Sequence, residues 1–157
     1  LVNCSRTHGD LNGKHIFVDE HGYPWLIDFY RTEIGHVLRA LIALEADIKF
    51  NVLETSDIPS LFEFELALTA PRRFEDPLRF SGRGRSAELA RAFLVIREIR
   101  RFAWELAAPS RDAREYYAGL FYYTLNMIRY PNVYKERKRH ALLSAAILAK
   151  RLDAWKR

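Results

Sequence analysis

The chain has 157 residues, 49% of them apolar, with a formal net charge of +5 and a pI near 9.5. That length is one domain or a piece of a larger one, and that apolar share is enough to bury a real core, so disorder is not the default. A single cysteine, Cys4, excludes an intrachain disulfide and a Cys-based zinc site, and no apolar run approaches the ~18 residues that cross a bilayer.

Residues 1–15 are polar and rich in turn-formers, and they read as a loop. His15 to Asp19 and Tyr23 to Phe29 are short β-type runs joined by the turn chemistry of Glu20-His21-Gly22, with Pro24 at a strand start, where proline is tolerated. From Gly35 the period becomes helical: Val37, Leu38, Leu41, Leu44, Ile48 and Val52 predict a helix over 35–53. Asp57 before Ile58-Pro59 predicts a capped helix that reaches Ala70 and stops before Pro71. "FSGRGRS" (80–86) is a polar connector. Beyond it Ser86 caps a long helix to Ala107, with Leu89, Phe93, Ile96, Ile99, Phe102 and Leu106 on one side. Ser110 and Asp112 open a fourth helix that ends at Pro131-Asn132, and a fifth runs from Val133 to Trp155, apolar at Leu142, Leu143, Ala146, Ile147 and Leu152. The expected fold is α+β and mostly helical, a small β-hairpin (about 15–29) followed by five helices, with no internal repeat.

The chemically pointed stretch is "THGDLNGKHIFVDEHGYPWLIDFYRT", residues 7 to 32, where two isolated aspartates frame the hairpin. Singly, Asp10 reads as the closing residue of a turn and Asp28 as a strand-end cap. Together, His-Gly-Asp-Leu, a strand pair and "WLIDF" eighteen residues on resemble the catalytic core of kinase-like phosphotransferases, on the aminoglycoside- and choline-kinase side. The resemblance implies the C-terminal lobe of a protein-kinase-like fold: residues 1–34 as catalytic loop and metal hairpin, residues 35–157 as its helical part. It implies Asp10 as the base that accepts the acceptor hydroxyl's proton, and Asp28 on Mg²⁺ bridging the phosphates of ATP. His8, Asn12 and Phe29 would be structural supports, His8 tying the loop to the backbone of Asp28. Both carboxylates would open into one shared cleft.

Departures from that pattern are equally visible. His15 stands where the family's loop carries the asparagine that supplies a second metal ligand. Its nitrogen suits Zn²⁺, Mn²⁺ or Cu²⁺ better than Mg²⁺, and it reads equally well as a packed loop residue. Tyr30 replaces a glycine, and no Gly-rich sheet with its phosphate-binding lysine is present, so the N-terminal lobe is expected on a longer product or another chain; Leu1 in place of Met also suggests a fragment. "RTEIGHVLRALIALEADIKF" (31–50) and "RYPN…RKRHALLSAAILAKRL" (129–152) look like kinase-related domains of large bacterial multidomain signalling or conflict-system proteins, where such domains accompany NTPase or protease modules in ternary systems.

Three functions are therefore in play. The first is a phosphotransferase lobe, with Glu45, Asp47, Glu63 and Glu65 either recruiting a cationic acceptor or lying on helix surfaces. The second is a catalytically inactive interaction module, with Tyr116, Tyr117, Tyr122, Tyr123, Phe62 and Phe64 or arginine faces on a partner. Nucleic-acid binding ranks last, because the charge comes with no recognition helix or single-strand platform. No membrane anchor or signal peptide is read, and the setting expected is cytoplasmic.

Overall fold

The computed structural model describes residues 3–80, 86–107 and 112–155. Four short strands come first: β1 (Cys4–Thr7), β2 (Ile16–Val18), β3 (Pro24–Leu26) and β4 (Glu33–His36). The expected hairpin is present as β2 against β3, with Phe17 opposite Trp25 and Ile16 opposite Leu26. An unexpected second ribbon encloses it, β1 antiparallel to β4, from Cys4 opposite His36 to Thr7 opposite Glu33. Cys-Ser-Arg-Thr has no apolar alternation, and its partner lies a whole hairpin downstream. This strand forms through backbone pairing that no local pattern announces.

The helices follow in the expected order: α1 (Arg39–Asp47), α2 (Ile58–Thr69), α3 (Ala87–Leu106), α4 (Arg114–Arg129) and α5 (Lys135–Asp153). The first begins later than its periodicity suggested because residues 33–36 stay extended in β4. It then widens into a π-helical turn, Ile48–Val52, closed by the Leu53 N–H on the carbonyl of Ile48, five residues back (3.0 Å). Pro59 sits in the first turn of α2, but Asp57 at its N-cap position makes no side-chain capping bond. Ser86 does cap α3, its hydroxyl accepting the Leu89 N–H at 3.2 Å. Asp112 accepts the Arg114 N–H at 2.8 Å; Ser110, expected to share that role, lies outside the described residues.

Two apolar clusters form the interior. One gathers Leu38, Ile42, Phe50, Ala103, Tyr116, Tyr117, Leu120, Ala141 and Leu148, and the other Leu53, Leu61, Phe64, Leu68, Leu89, Phe93 and Ile96. Gly119 lets α1 and α4 approach closely, since a Cβ there would lie 2.6 Å from Ile42 Cδ1. Tyr116, Tyr117 and Phe64, considered above as partner-binding aromatics, belong to this core, while Tyr122 and Phe62 are exposed. Leu142, Phe102 and Leu106, expected on apolar faces, are exposed too. The buried stripe of α5 is instead His140, Ala141, Ser144, Ala145 and Leu148.

Charge runs through the interior. Glu45 and Glu65 are fully buried, so neither lies on a helix surface nor recruits a cation there. Arg100 grips Glu45 bidentately (Nε–Oε2 2.9 Å, Nη2–Oε1 2.7 Å), and the Tyr116 hydroxyl donates to the same carboxylate at 2.7 Å. Lys49 Nζ lies 2.8 Å from both Glu65 Oε2 and Ser144 Oγ, and His140 Nε2 lies 2.7 Å from Glu65 Oε1. Burial pushes the Glu65 carboxyl up, but Lys49 and His140 together outweigh it and bring its pKa down to about 2. Burial, reinforced by the charge of Glu45, holds the Tyr116 phenol well above its ordinary range.

Candidate functional site

The His-Gly-Asp loop leaves β1 at Thr7 and immediately turns. Gly9 has φ +82°, and a Cβ there would stand 1.8 Å from the carbonyl oxygen of Arg31, in the short 3-10 turn Phe29–Arg31 that follows Asp28. Only glycine supplies both that dihedral and that approach, which brings the segment after Asp28 directly onto the loop. Asn12 then organises a second 3-10 turn, Gly13–His15: its Oδ1 accepts the Lys14 N–H (3.0 Å), and its Nδ2 donates to the Asp10 carbonyl (3.1 Å). The Gly13 N–H donates to Asp47 Oδ2 at 2.8 Å, tying the loop to the end of α1.

His15 joins the two aspartates. Its Nδ1 is 2.8 Å from the carbonyl of Asp10, and its Nε2 is 3.4 Å from Asp28 Oδ2. The Asn12 amide nitrogen also lies 3.1 Å from Nδ1, so the loop holds one edge of the ring while the other edge faces the Asp28 carboxylate. Asp28 itself is left-handed (φ 62°, ψ 58°), a region Asp visits more readily than most residues. His8 is buried, and its Nε2–H donates to the carbonyl of Ile27 (2.8 Å), one residue before the expected anchor at Asp28. The His8 ring packs on Phe29, 4.9 Å between centroids, and lies near-parallel to His15 at 5.9 Å.

Beside the loop opens a cleft of about 550 Å³, floored by α1 and walled by α4 and the first turn of α5. Asp10 and Asn12 line it with Lys14, Arg31, Arg39, Asp47, Asn51, Tyr123, Met127, Tyr130 and Arg137. Asp28, His15, His8 and Phe29 do not. The shared cleft expected for both carboxylates is therefore divided: Asp10 opens into it, and Asp28, half-exposed, is reached through the His15 ring. Among the described residues no three His, Cys, Asp or Glu side chains converge as a metal cage. The sequence reading missed Arg39 and Asn51, although Arg39, Asp47 and Asn51 fall on one four-residue repeat running through Ala43 from α1 into the π turn. Arg137 and Tyr123 come from distant helices and gave no such signal.

A family model described as ternary complex associated domain 9 matches residues 2–129. No curated protein and no solved structure matches the chain.

Proposed function

The chain belongs to the ternary complex associated domain 9 family, and from that premise we propose that it is a kinase-like phosphotransferase lobe working inside a multi-module assembly. The observation that carries this reading is the loop–hairpin clasp. Gly9 packs on the turn after Asp28, His8 holds Ile27, and His15 links the Asp10 backbone to the Asp28 carboxylate. Phosphoryl transfer needs positioned groups more than covalent chemistry, and the clasp ties the backbone of Asp10 to the carboxylate of Asp28.

In this mechanism Asp10, at the edge of the cleft, accepts the proton of the acceptor hydroxyl and aims its oxygen at the phosphoryl group of ATP. Asp28, with His15 Nε2, would hold a divalent cation, which when bound neutralises charge on the nucleotide phosphates. One carboxylate beside waters and phosphates fits Mg²⁺, and the added imidazole favours Mn²⁺. Asn12 keeps the Asp10 carbonyl oriented. The nucleotide-binding sheet comes from the remaining lobe or a neighbouring module. The hairpin offers that module a broad apolar face, with Phe17, Tyr23, Trp25, Ile27 and Tyr30 all exposed. That face equally supports a second reading, an inactive interaction module held in the assembly by the hairpin.

The test is γ-phosphate transfer from ATP by the full-length gene product against its Asp10→Ala variant. Loss of about 10²–10⁴-fold is expected for a general base. Equal turnover in the two proteins removes the phosphotransferase assignment, and absence of Mg²⁺-ATP binding by calorimetry leaves the interaction module.

A further inference from the structure

Resting on the phosphotransferase reading, we propose that the cleft beside Asp10 takes an anionic acceptor, a hydroxy compound carrying a phosphate or carboxylate, and not a polycation. The sequence left a cationic acceptor open through Glu45, Asp47, Glu63 and Glu65, but Glu45 and Glu65 are locked in interior ion pairs, and of the four Asp47 alone lines the cleft. Four cations, Lys14, Arg31, Arg39 and Arg137, line it against two carboxylates, Asp10 and Asp47. Asp47 accepts from the Gly13 N–H at 2.8 Å and the Asn51 amide at 2.7 Å, neutral donors that leave its negative charge in place. Arg39 is paired with Glu33. Arg137 donates to the side-chain and backbone oxygens of Asn51, at 3.3 and 3.2 Å, and lies over the Tyr134 ring, 5.7 Å from its centroid, with no carboxylate partner among the described residues. Among the described residues, Lys14 and Arg31 have no carboxylate partner.

Three cations without an ion-pair partner therefore share the lining with two carboxylates, Asp10 and Asp47, and the cleft keeps a net positive charge. Tyr123, Met127 and Tyr130 add an apolar wall, and the volume falls within the ~300–1,000 Å³ of small-molecule sites. Guanidinium forks recognise phosphate and carboxylate through paired N–H donors, whereas an ammonium-rich ligand would face like charge. Asp28 and His15 lie outside this lining, so the acceptor's anion and the cation-binding pair occupy separate places.

The chain is titrated calorimetrically, without nucleotide, with glycerol 3-phosphate, malate, ATP and spermidine. Glycerol 3-phosphate or malate should bind, which also decides between phosphate and carboxylate, and spermidine should not. Lys14→Gln, Arg31→Gln and Arg137→Gln, each folded by circular dichroism, should weaken that anion by about tenfold apiece, with Asp28→Asn neutral. Spermidine binding in preference to the anions, ATP alone binding, no anion binding, or anion affinity indifferent to all three substitutions would each overturn the proposal. No phosphate transfer is read here, so a negative result with transfer intact fails this inference alone.

Discussion

Gly9 fixes more of the loop's geometry than the aspartate beside it. Replacing it with alanine forces an L side chain into φ +82° and drives a methyl into the Arg31 carbonyl at 1.8 Å, a backbone obstacle that cannot rotate aside. Gly9→Ala should cost about 2 kcal/mol or more and lower Tm by about 4–8 °C for a chain of this size, measured by thermal circular dichroism. An unchanged Tm would show that the loop does not rest on the Phe29–Arg31 turn. Much of this neighbourhood was legible at residue level, because His8, Gly9, Asn12 and Asp28 are residue types chosen for backbone conformation and local hydrogen bonds. The bonding atoms were less so: His8 grips Ile27, and His15 holds both aspartates together, a distance that no spacing encodes.

At the scale of elements, the hairpin is the least supported part. Two strands of three residues, exposed on both faces, have little packing of their own, and an isolated ribbon of that size is marginal in water. Its turn is held by Asp19, which accepts from the His21 and Tyr23 N–H groups and from Trp25 Nε1, each at 2.9 Å. These bonds, that from Trp25 foremost, lower the Asp19 pKa. Asp19→Ala removes these acceptors. Hydrogen exchange over residues 16–26 should then accelerate roughly fivefold, while the helices keep their protection. Equal acceleration throughout would mean that the hairpin does not open separately. The hairpin and all five helices announced themselves through periods of two and 3.6 and through Gly and Pro punctuation. The β1–β4 ribbon and the π turn did not, because one depends on pairing across an intervening hairpin and the other on hydrogen bonding five residues back, as from the Leu53 N–H to Ile48.

Across the whole molecule, buried ions govern stability toward acid. The folded Glu65 has its pKa near 2 against an ordinary value of 4.5, so its contribution is fully present above about pH 4.5 and is lost as pH falls through 2. The shift corresponds to an order of 3 kcal/mol, and urea unfolding followed from pH 6 to pH 2 should show the decline. Glu65→Gln leaves Lys49 buried without its counter-charge. It should destabilise the fold by about 3–5 kcal/mol at neutral pH and flatten that acid limb, and an unaltered limb would place the titration elsewhere. These charged positions were the hardest to see in advance, since Glu, Lys and Arg default to the surface. A usable sign was present in their registration: Glu45 and Lys49 share a face with Ile42 and Ala46, and Arg100 sits between Ile96 and Ala103. Grease tolerates slippage; an ordered series of opposite signs does not. Were α1 to slide by four residues along its neighbours, Lys49 would arrive where Glu45 meets Arg100, setting cation against cation away from water. Mispacked helical arrangements of similar hydrophobic content are thereby penalised, and the bundle is left a single admissible alignment.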